Sequence, residues 1–139
     1  FGHNDAGNVD KKKFRGSLKG IGNETQKVQR DSVLEVVHTY GWYLTQMIKE
    51  TKKAGALPVI LSLTPRNEWP KGIVEQRKDS YIKWAKEVAE KEETIFIDLS
   101  NAIAIKYQML GKEKIKHFFP KDELKFSNYL PCSWLALRC

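Results

Sequence analysis

The sequence has little cysteine and histidine, which bears first on metal and redox chemistry. It contains two cysteines and three histidines among 139 residues. Cys132 and Cys139 have neither a CxxC spacing nor a nearby histidine, and no histidine has a partner at the spacing of metal ligands. The sequence therefore does not support a zinc site or a thioredoxin-like motif. A disulfide between the two cysteines and a pair of free thiols both stay open, and with them the redox compartment.

Long hydrophobic runs are also absent. No apolar stretch approaches the roughly 20 residues of a membrane-spanning helix, so we expect no membrane partner. The N-terminus lacks the basic and apolar regions of a signal peptide. Because the chain starts at Phe1 without a methionine, we expect the natural gene product to start upstream. With 41% hydrophobic and 11% aromatic residues, the chain can form one domain with a buried core.

Positive charge exceeds negative charge. Lysine and arginine number 24, aspartate and glutamate 17, and the formal net charge is +7. Many lysines are spread over predicted helices, and 11–13 is the only uninterrupted basic triplet. This distribution favours a solvated surface over a nucleic-acid footprint, so we expect no nucleic-acid partner. An acidic polysaccharide would also be attracted by this charge.

The pattern of apolar residues predicts the first elements. Residues 5–30 are polar and glycine-rich and predict a long loop. A helix is predicted from about Asp31, capped by Asp31 or Ser32 and ending near Gly55, with close packing expected at Gly41. Its apolar stripe recurs at spacings of three and four and comprises Val33, Val36, Val37, Tyr40, Leu44, Met47, Ile48 and Thr51.

Two short apolar runs, 58–63 and 94–98, predict buried strands. Helices are predicted over about 73–91 and 100–110, the second capped by Ser100 and ending at Gly111. Alternating strands and helices indicate an α/β fold with a parallel sheet, in which ligands bind beyond the carboxyl ends of the strands. Residues 64–69 and Asp98 fall at that edge. Residues 1–5 would join them if a strand precedes Phe1.

Several segments resemble a known family. Residues 1–5, Phe-Gly-His-Asn-Asp, resemble the Gly-x-Asn-Asp block of SGNH hydrolases, although taken alone they also fit a simple turn. Residues 20–25, 38–43, 62–69 and 116–122 resemble, in the same order, segments of its rhamnogalacturonan acetylesterase-like branch. The resemblance covers nearly all of 1–122. It implies a three-layer α/β/α fold with a flavodoxin-like parallel sheet whose first strands are absent from this chain, followed by a divergent tail, 123–139.

The resemblance also implies a catalytic site without a metal or cofactor. Asn4 matches the asparagine that donates a hydrogen bond to the oxyanion, and Asp122 matches the carboxylate that orients the catalytic histidine. Lys125 stands where the family has that histidine, and the family's nucleophilic serine lies upstream of Phe1. A protonated lysine is a poor base, so we expect the chain alone to be inactive. His117 is an alternative base, though packing explains it as well.

Candidate substrate contacts are His3, Arg66, Asn67 and Trp69, which combine charge, amide and aromatic groups at the predicted edge. His3 could instead make a hydrogen bond within a turn, and Trp69 could instead pack against a helix. The resemblance implies acetylated pectic oligo- or polysaccharide as substrate and a secreted or periplasmic location. A non-catalytic sugar-binding protein and a basic nucleic-acid-binding module are rival functions, and the oligomeric state stays open.

Overall fold

The computed structural model describes residues 2–7, 9, 16–30, 32–76 and 78–119. They form a mixed α/β structure with two small sheets and several helices, in two compact units. The first unit holds the described residues of 1–63 and 77–98, and the second holds those of 64–76 and 99–119. The predicted boundary after residue 122 lies outside the described residues and stays a prediction. None of the described helices is long and apolar enough to cross a membrane.

The first unit begins with an antiparallel pair of strands, β1 (Thr25–Arg30) and β2 (Val33–His38). Val28 and Val37 are its buried side chains, at 7% and 1% exposure. The predicted loop over 5–30 is therefore wrong in its last six residues, and the predicted helix start at Asp31 is also wrong. Consecutive β-branched and branched residues in β2 suit a pleated strand, and pairing with β1 overrides their helix-like spacing.

Helix α1 (Tyr40–Lys53) begins after Thr39, which is fully buried. The Thr39 Oγ1 accepts a hydrogen bond from the Trp42 backbone N–H at 3.1 Å and donates one to the Gly22 carbonyl at 2.6 Å. Thr39 is thus the N-cap, not Asp31 or Ser32. Close packing at Gly41 is confirmed, because a Cβ there would lie 2.6 Å from the Ile21 Cα.

Two parallel strands follow where the apolar runs predicted them, β3 (Val59–Leu61) and β4 (Ile95–Ile97). Their predicted burial is wrong, because only the face with Ile60 and Phe96 packs on the described core and the outer residues of each strand are 45–50% exposed. Between them α2 (Lys83–Lys91) follows a π-helical turn, Lys78–Ile82. The predicted helix over 73–91 is wrong in its first part, because Ser80 has a non-helical backbone (φ −137°, ψ −107°). The core of this unit comprises Tyr40, Leu44, Ile48, Leu63, Tyr81, Ala85 and Val88, with Ile60 and Phe96 packed against it from β3 and β4.

The second unit is helical. A short 3-10 turn, Pro70–Gly72, precedes α3 (Leu99–Leu110), α4 (Lys112–Ile115) and a second 3-10 turn, Lys116–Phe118. The predicted third helix is confirmed, but it begins at Leu99, so Ser100 lies in its first turn and is not its N-cap. The buried core of this unit comprises Val74, Ala104, Tyr107, Ile115 and Phe119.

Candidate functional site

The turn at Gly2–Asp5 carries the first candidate residue, Asn4, which is exposed. The Gly2 backbone N–H donates to the Asp5 Oδ2 at 2.9 Å, and the Gly7 N–H donates to the Asn4 carbonyl at 3.0 Å. Gly2 has φ +101°, and a Cβ on it would lie 2.7 Å from both Cδ atoms of Leu63. Only glycine therefore fits at position 2, where the backbone packs directly on Leu63.

Leu63 lies two residues beyond β3, so the Gly2–Asp5 turn packs beside the chain that leaves the carboxyl end of that strand. In parallel sheets, ligands bind beyond the carboxyl ends of the strands. The turn holds its own backbone groups through the two hydrogen bonds above, while the Asn4 side chain is exposed. An amide in this position can donate a hydrogen bond to a group that approaches from outside.

A cluster of three aromatic residues, Tyr40, Tyr81 and Trp84, supports this turn. The Tyr81 hydroxyl donates to the Asp5 carbonyl oxygen at 2.9 Å. The Tyr81 ring meets the Tyr40 ring edge-on at 5.2 Å and the Trp84 ring at 4.9 Å. Burial, then the negative charge of Asp5 and the neighbouring Tyr81, raise the pKa of Tyr40 to about 12. The Asp5 carboxylate therefore acts electrostatically on the Tyr40 hydroxyl.

Hydrogen bonds made by Ser62 join the carboxyl ends of the two parallel strands. The buried Ser62 donates from Oγ to the Asp98 Oδ1 at 2.9 Å, and its N–H donates to the Ile97 carbonyl at 3.1 Å. The second bond extends the ladder by one residue beyond the strands. The sequence analysis placed Asp98 at this edge but did not pair it with Ser62, and the available signal was that both residues lie at the ends of the predicted strands 58–63 and 94–98.

The loop of the second unit holds the candidate sugar contacts Arg66, Asn67 and Trp69, all half-buried. The Trp69 indole N–H donates to the Asn67 Oδ1 at 2.8 Å, and the Trp69 ring packs against the core of this unit. The Arg66 guanidinium lies 3.6 Å from a carboxylate oxygen of Glu68. The structure thus brings these three residues into one loop, where the Trp69 ring has a clear packing role.

Gln108 on α3 fixes the far end of this loop and was missed from the sequence. Its Nε2 donates to the Gly72 carbonyl at 3.0 Å, and its Oε1 accepts from the Val74 N–H at 3.1 Å. The Glu75 N–H also donates to the Glu68 carbonyl at 2.9 Å within the loop. Gln108 is 34 residues from Val74 and 36 from Gly72, and no local sequence signal reveals contacts over such separations.

The three histidines lie in different settings. His3 is half-buried within the Gly2–Asp5 turn, and His117 is exposed in the second 3-10 turn. His38, predicted on a helix, ends β2 and stacks on Trp42 with ring centroids 3.7 Å apart. Among the described residues, no group of three histidine, cysteine or acidic side chains is placed to hold a metal.

Two residues that the resemblance singles out, Asp122 and Lys125, lie outside the described residues. The predicted proximity of Asn4 and Asp122 therefore stays a prediction. Ser100, which the sequence analysis predicted as a helix cap, is 1% exposed and lies inside α3. A serine buried in a helix cannot meet a polysaccharide ester without local unfolding, so Ser100 is not a candidate nucleophile.

Comparison with known proteins relates the chain to one class of hydrolase. It is 28% identical over 122 residues to a rhamnogalacturonan acetylesterase from Emericella nidulans. The match covers 88% of this chain and 50% of the relative, so the chain spans about half the length of the relative that it matches. No protein-family model matches the sequence. The chain is thus a distant relative of an esterase.

Proposed function

We propose that this chain carries the oxyanion-stabilising part of an SGNH-type carbohydrate esterase, which removes acetyl groups from pectic polysaccharide. The observation that carries the proposal is the Gly2–Asp5 turn. It matches the Gly-x-Asn-Asp block, packs on Leu63 beyond the carboxyl end of β3 and leaves the Asn4 amide exposed. The relationship to an acetylesterase supports the same reaction class.

Asn4 would act when negative charge develops on the substrate. In enzymes of this type a base takes the proton of a serine hydroxyl as its oxygen attacks the acetyl carbonyl, the carbonyl oxygen becomes an oxyanion, and the base later gives that proton to the leaving sugar oxygen. The Asn4 Nδ2–H donates to that oxyanion, the bond from carbonyl carbon to sugar oxygen breaks, and the sugar hydroxyl leaves with a proton. Water then releases acetate from the acyl-serine. A donor held in place before the reaction lowers the barrier because it needs no reorganisation.

The rest of the proposal follows the resemblance. The mixed α/β structure and the parallel β3–β4 pair are compatible with an α/β hydrolase-like fold. Following the resemblance, we propose a three-layer α/β/α domain over 1–122 and a divergent tail over 123–139. Asp122 would orient the catalytic base, and His3, Arg66, Asn67 and Trp69 would contact sugar. We propose a secreted or periplasmic location, no cofactor, and acetylated pectic oligo- or polysaccharide as the substrate.

The test uses the complete natural gene product that carries this chain, with p-nitrophenyl acetate and acetylated pectic oligosaccharide as substrates. We expect Asn4→Ala to lower kcat by about 10²–10³ with little change in KM, because the lost hydrogen bond forms mainly in the transition state. Asn4→Asp should lose at least as much, since a carboxylate accepts and repels where a donor is needed. Residues 1–139 alone should show no hydrolysis above buffer.

Asn23 offers a matched control, because it is also an exposed asparagine of the first unit. Asn23→Ala should leave kcat unchanged. An Asn4→Ala enzyme with full activity would refute the role of Asn4. Specific sugar binding without any ester hydrolysis by the complete product would instead favour the non-catalytic alternative, in which Lys125 replaces the family's histidine.

A further inference from the structure

The support beneath Asn4 is built from Asp5, a member of the Gly-x-Asn-Asp block, and from Tyr40 and Tyr81, to which the sequence analysis gave no role in the site. Asp5 is held from two directions: its carboxylate accepts the Gly2 N–H at 2.9 Å, and its carbonyl accepts the Tyr81 hydroxyl at 2.9 Å. Tyr81 is 3% exposed and packs edge-on against Tyr40, which is 2% exposed. The turn is thus anchored to the buried Tyr81 on the C-terminal side of Asn4, and the half-buried Asp5 links it back to Gly2 on the N-terminal side.

We propose that Tyr81 and Asp5 are positioning residues for Asn4, an inference that rests on the proposed function. Tyr81 lies on the π-helical turn before α2, 76 residues from Asp5, so their hydrogen bond joins the turn to the core of the unit. Asp5 closes the turn over three residues through the Gly2 N–H. Together they hold the backbone on each side of Asn4, which is exposed.

The physical need for such an anchor is strict. A donor to an oxyanion acts only when it lies about 2.7–3.1 Å from the position that the charge will occupy. An exposed asparagine on an unanchored chain would sample many orientations and lose most of this benefit. A buried hydroxyl whose ring is packed in a core holds a backbone carbonyl far better than an exposed side chain does. Tyr81 has this arrangement.

The first arm of the test needs no catalysis and uses residues 1–139. Tyr81→Phe keeps the ring contacts and removes only the hydroxyl. We expect amide hydrogen exchange at Gly2 and Gly7 to rise about tenfold, which corresponds to about 1.4 kcal/mol. Tyr43→Phe is the matched control, because the Tyr43 oxygen accepts the His38 N–H at 3.2 Å instead. It should leave both rates unchanged.

Asp5 offers a conservative rescue. Asp5→Asn keeps an oxygen that can accept the Gly2 N–H, whereas Asp5→Ala removes it. We therefore expect the raised exchange rates in Asp5→Ala and rates close to those of the unchanged chain in Asp5→Asn. Unchanged rates in both Tyr81→Phe and Asp5→Ala would overturn the anchoring of the turn.

The second arm uses the complete gene product and asks whether the anchor acts through Asn4. Tyr81→Phe should lower kcat about tenfold and leave KM unchanged, as expected for an interaction made mainly in the transition state. In an Asn4→Ala background the same change should lower kcat less than twofold, because the positioned group is gone. A tenfold loss in both backgrounds would overturn the positioning role and show a general structural effect.

The two arms separate the inference from the proposed function. If Asn4→Ala leaves hydrolysis unchanged, the proposed function fails and the catalytic positioning role fails with it. The exchange rates then still show whether Tyr81 and Asp5 hold the turn. If Asn4→Ala lowers kcat but Tyr81→Phe does not, the proposed function stands and the positioning inference is wrong.

Discussion

The two units hold their candidate residues in different ways. In the first unit the Gly2–Asp5 turn is anchored by the hydroxyl of Tyr81, a side chain 3% exposed within the core. In the second unit the loop with Arg66, Asn67 and Trp69 is held by hydrogen bonds among its own residues and by Gln108, which is exposed. The bond from Gln108 to Gly72 is exposed to water, which competes for it, whereas the bond from Tyr81 to Asp5 is part-buried and comes from a side chain within the core.

This difference in anchoring agrees with the role that the proposed function gives to each unit. A group that stabilises a transition state needs a fixed position, whereas a surface that receives a polymer needs only adjustable contacts. Under the proposed function, the first unit would supply the chemical group and the loop of the second unit would contact sugar. Comparing substitutions in the two units tests this interpretation.

The largest effect should come from truncating the ring beneath the turn. Tyr81→Ala removes a buried aromatic side chain that contacts Tyr40 and Trp84, and we expect a loss of about 3–5 kcal/mol in the free energy of unfolding. Denaturant titration measures this loss. Met109→Ala, on an α3 side chain that is 77% exposed, should change it by less than about 0.5 kcal/mol. A similar loss for the two variants would show that Tyr81 stabilises the chain no more than an exposed side chain does.

A smaller effect should appear at alkaline pH. The pKa of Tyr40 is raised from 10.0 to about 12, so the unfolded chain releases this proton first as the pH rises. Stability due to neutral Tyr40 is therefore complete below pH 10 and should fall by about 2–3 kcal/mol as the pH rises to about 12. Comparing unfolding of the unchanged chain and Tyr40→Phe isolates this contribution. An equal decline in both would contradict it.

The smallest effect should be at the loop of the second unit. Gln108→Ala removes an exposed hydrogen bond to the Gly72 carbonyl and a part-buried one from the Val74 N–H, and we expect exchange of the Val74 amide to rise about fivefold, close to 1 kcal/mol. Lys106→Ala, at another exposed residue of α3, is the control and should leave that rate unchanged. Strong protection of Val74 in Gln108→Ala would show that the loop has a further anchor.

The sequence alone predicted those helices and strands whose pattern of apolar residues fits only one type of secondary structure. The apolar runs around Val59–Leu61 and Ile95–Ile97 are too short for helices and became the parallel pair. The helix over Leu99–Leu110 ended at Gly111 as predicted. Val33–His38 was mistaken for a helix because its apolar residues fit both periodicities. Its partner, Thr25–Arg30, is mostly polar, so nothing local showed that the two would pair.

The sequence also determined one part of the candidate site, and the tertiary structure determined the other. Residue types and their order along the chain are properties of the sequence, and they sufficed to single out Asn4 and the Gly-x-Asn-Asp block. Only the tertiary structure joined Tyr81 to Asp5, packed Gly2 on Leu63 and bonded Ser62 to Asp98. These contacts span 36 to 76 residues for the hydrogen-bonded pairs. Short-range patterns report which conformation a segment prefers, whereas distant contacts form only when burial of the whole core brings the segments together.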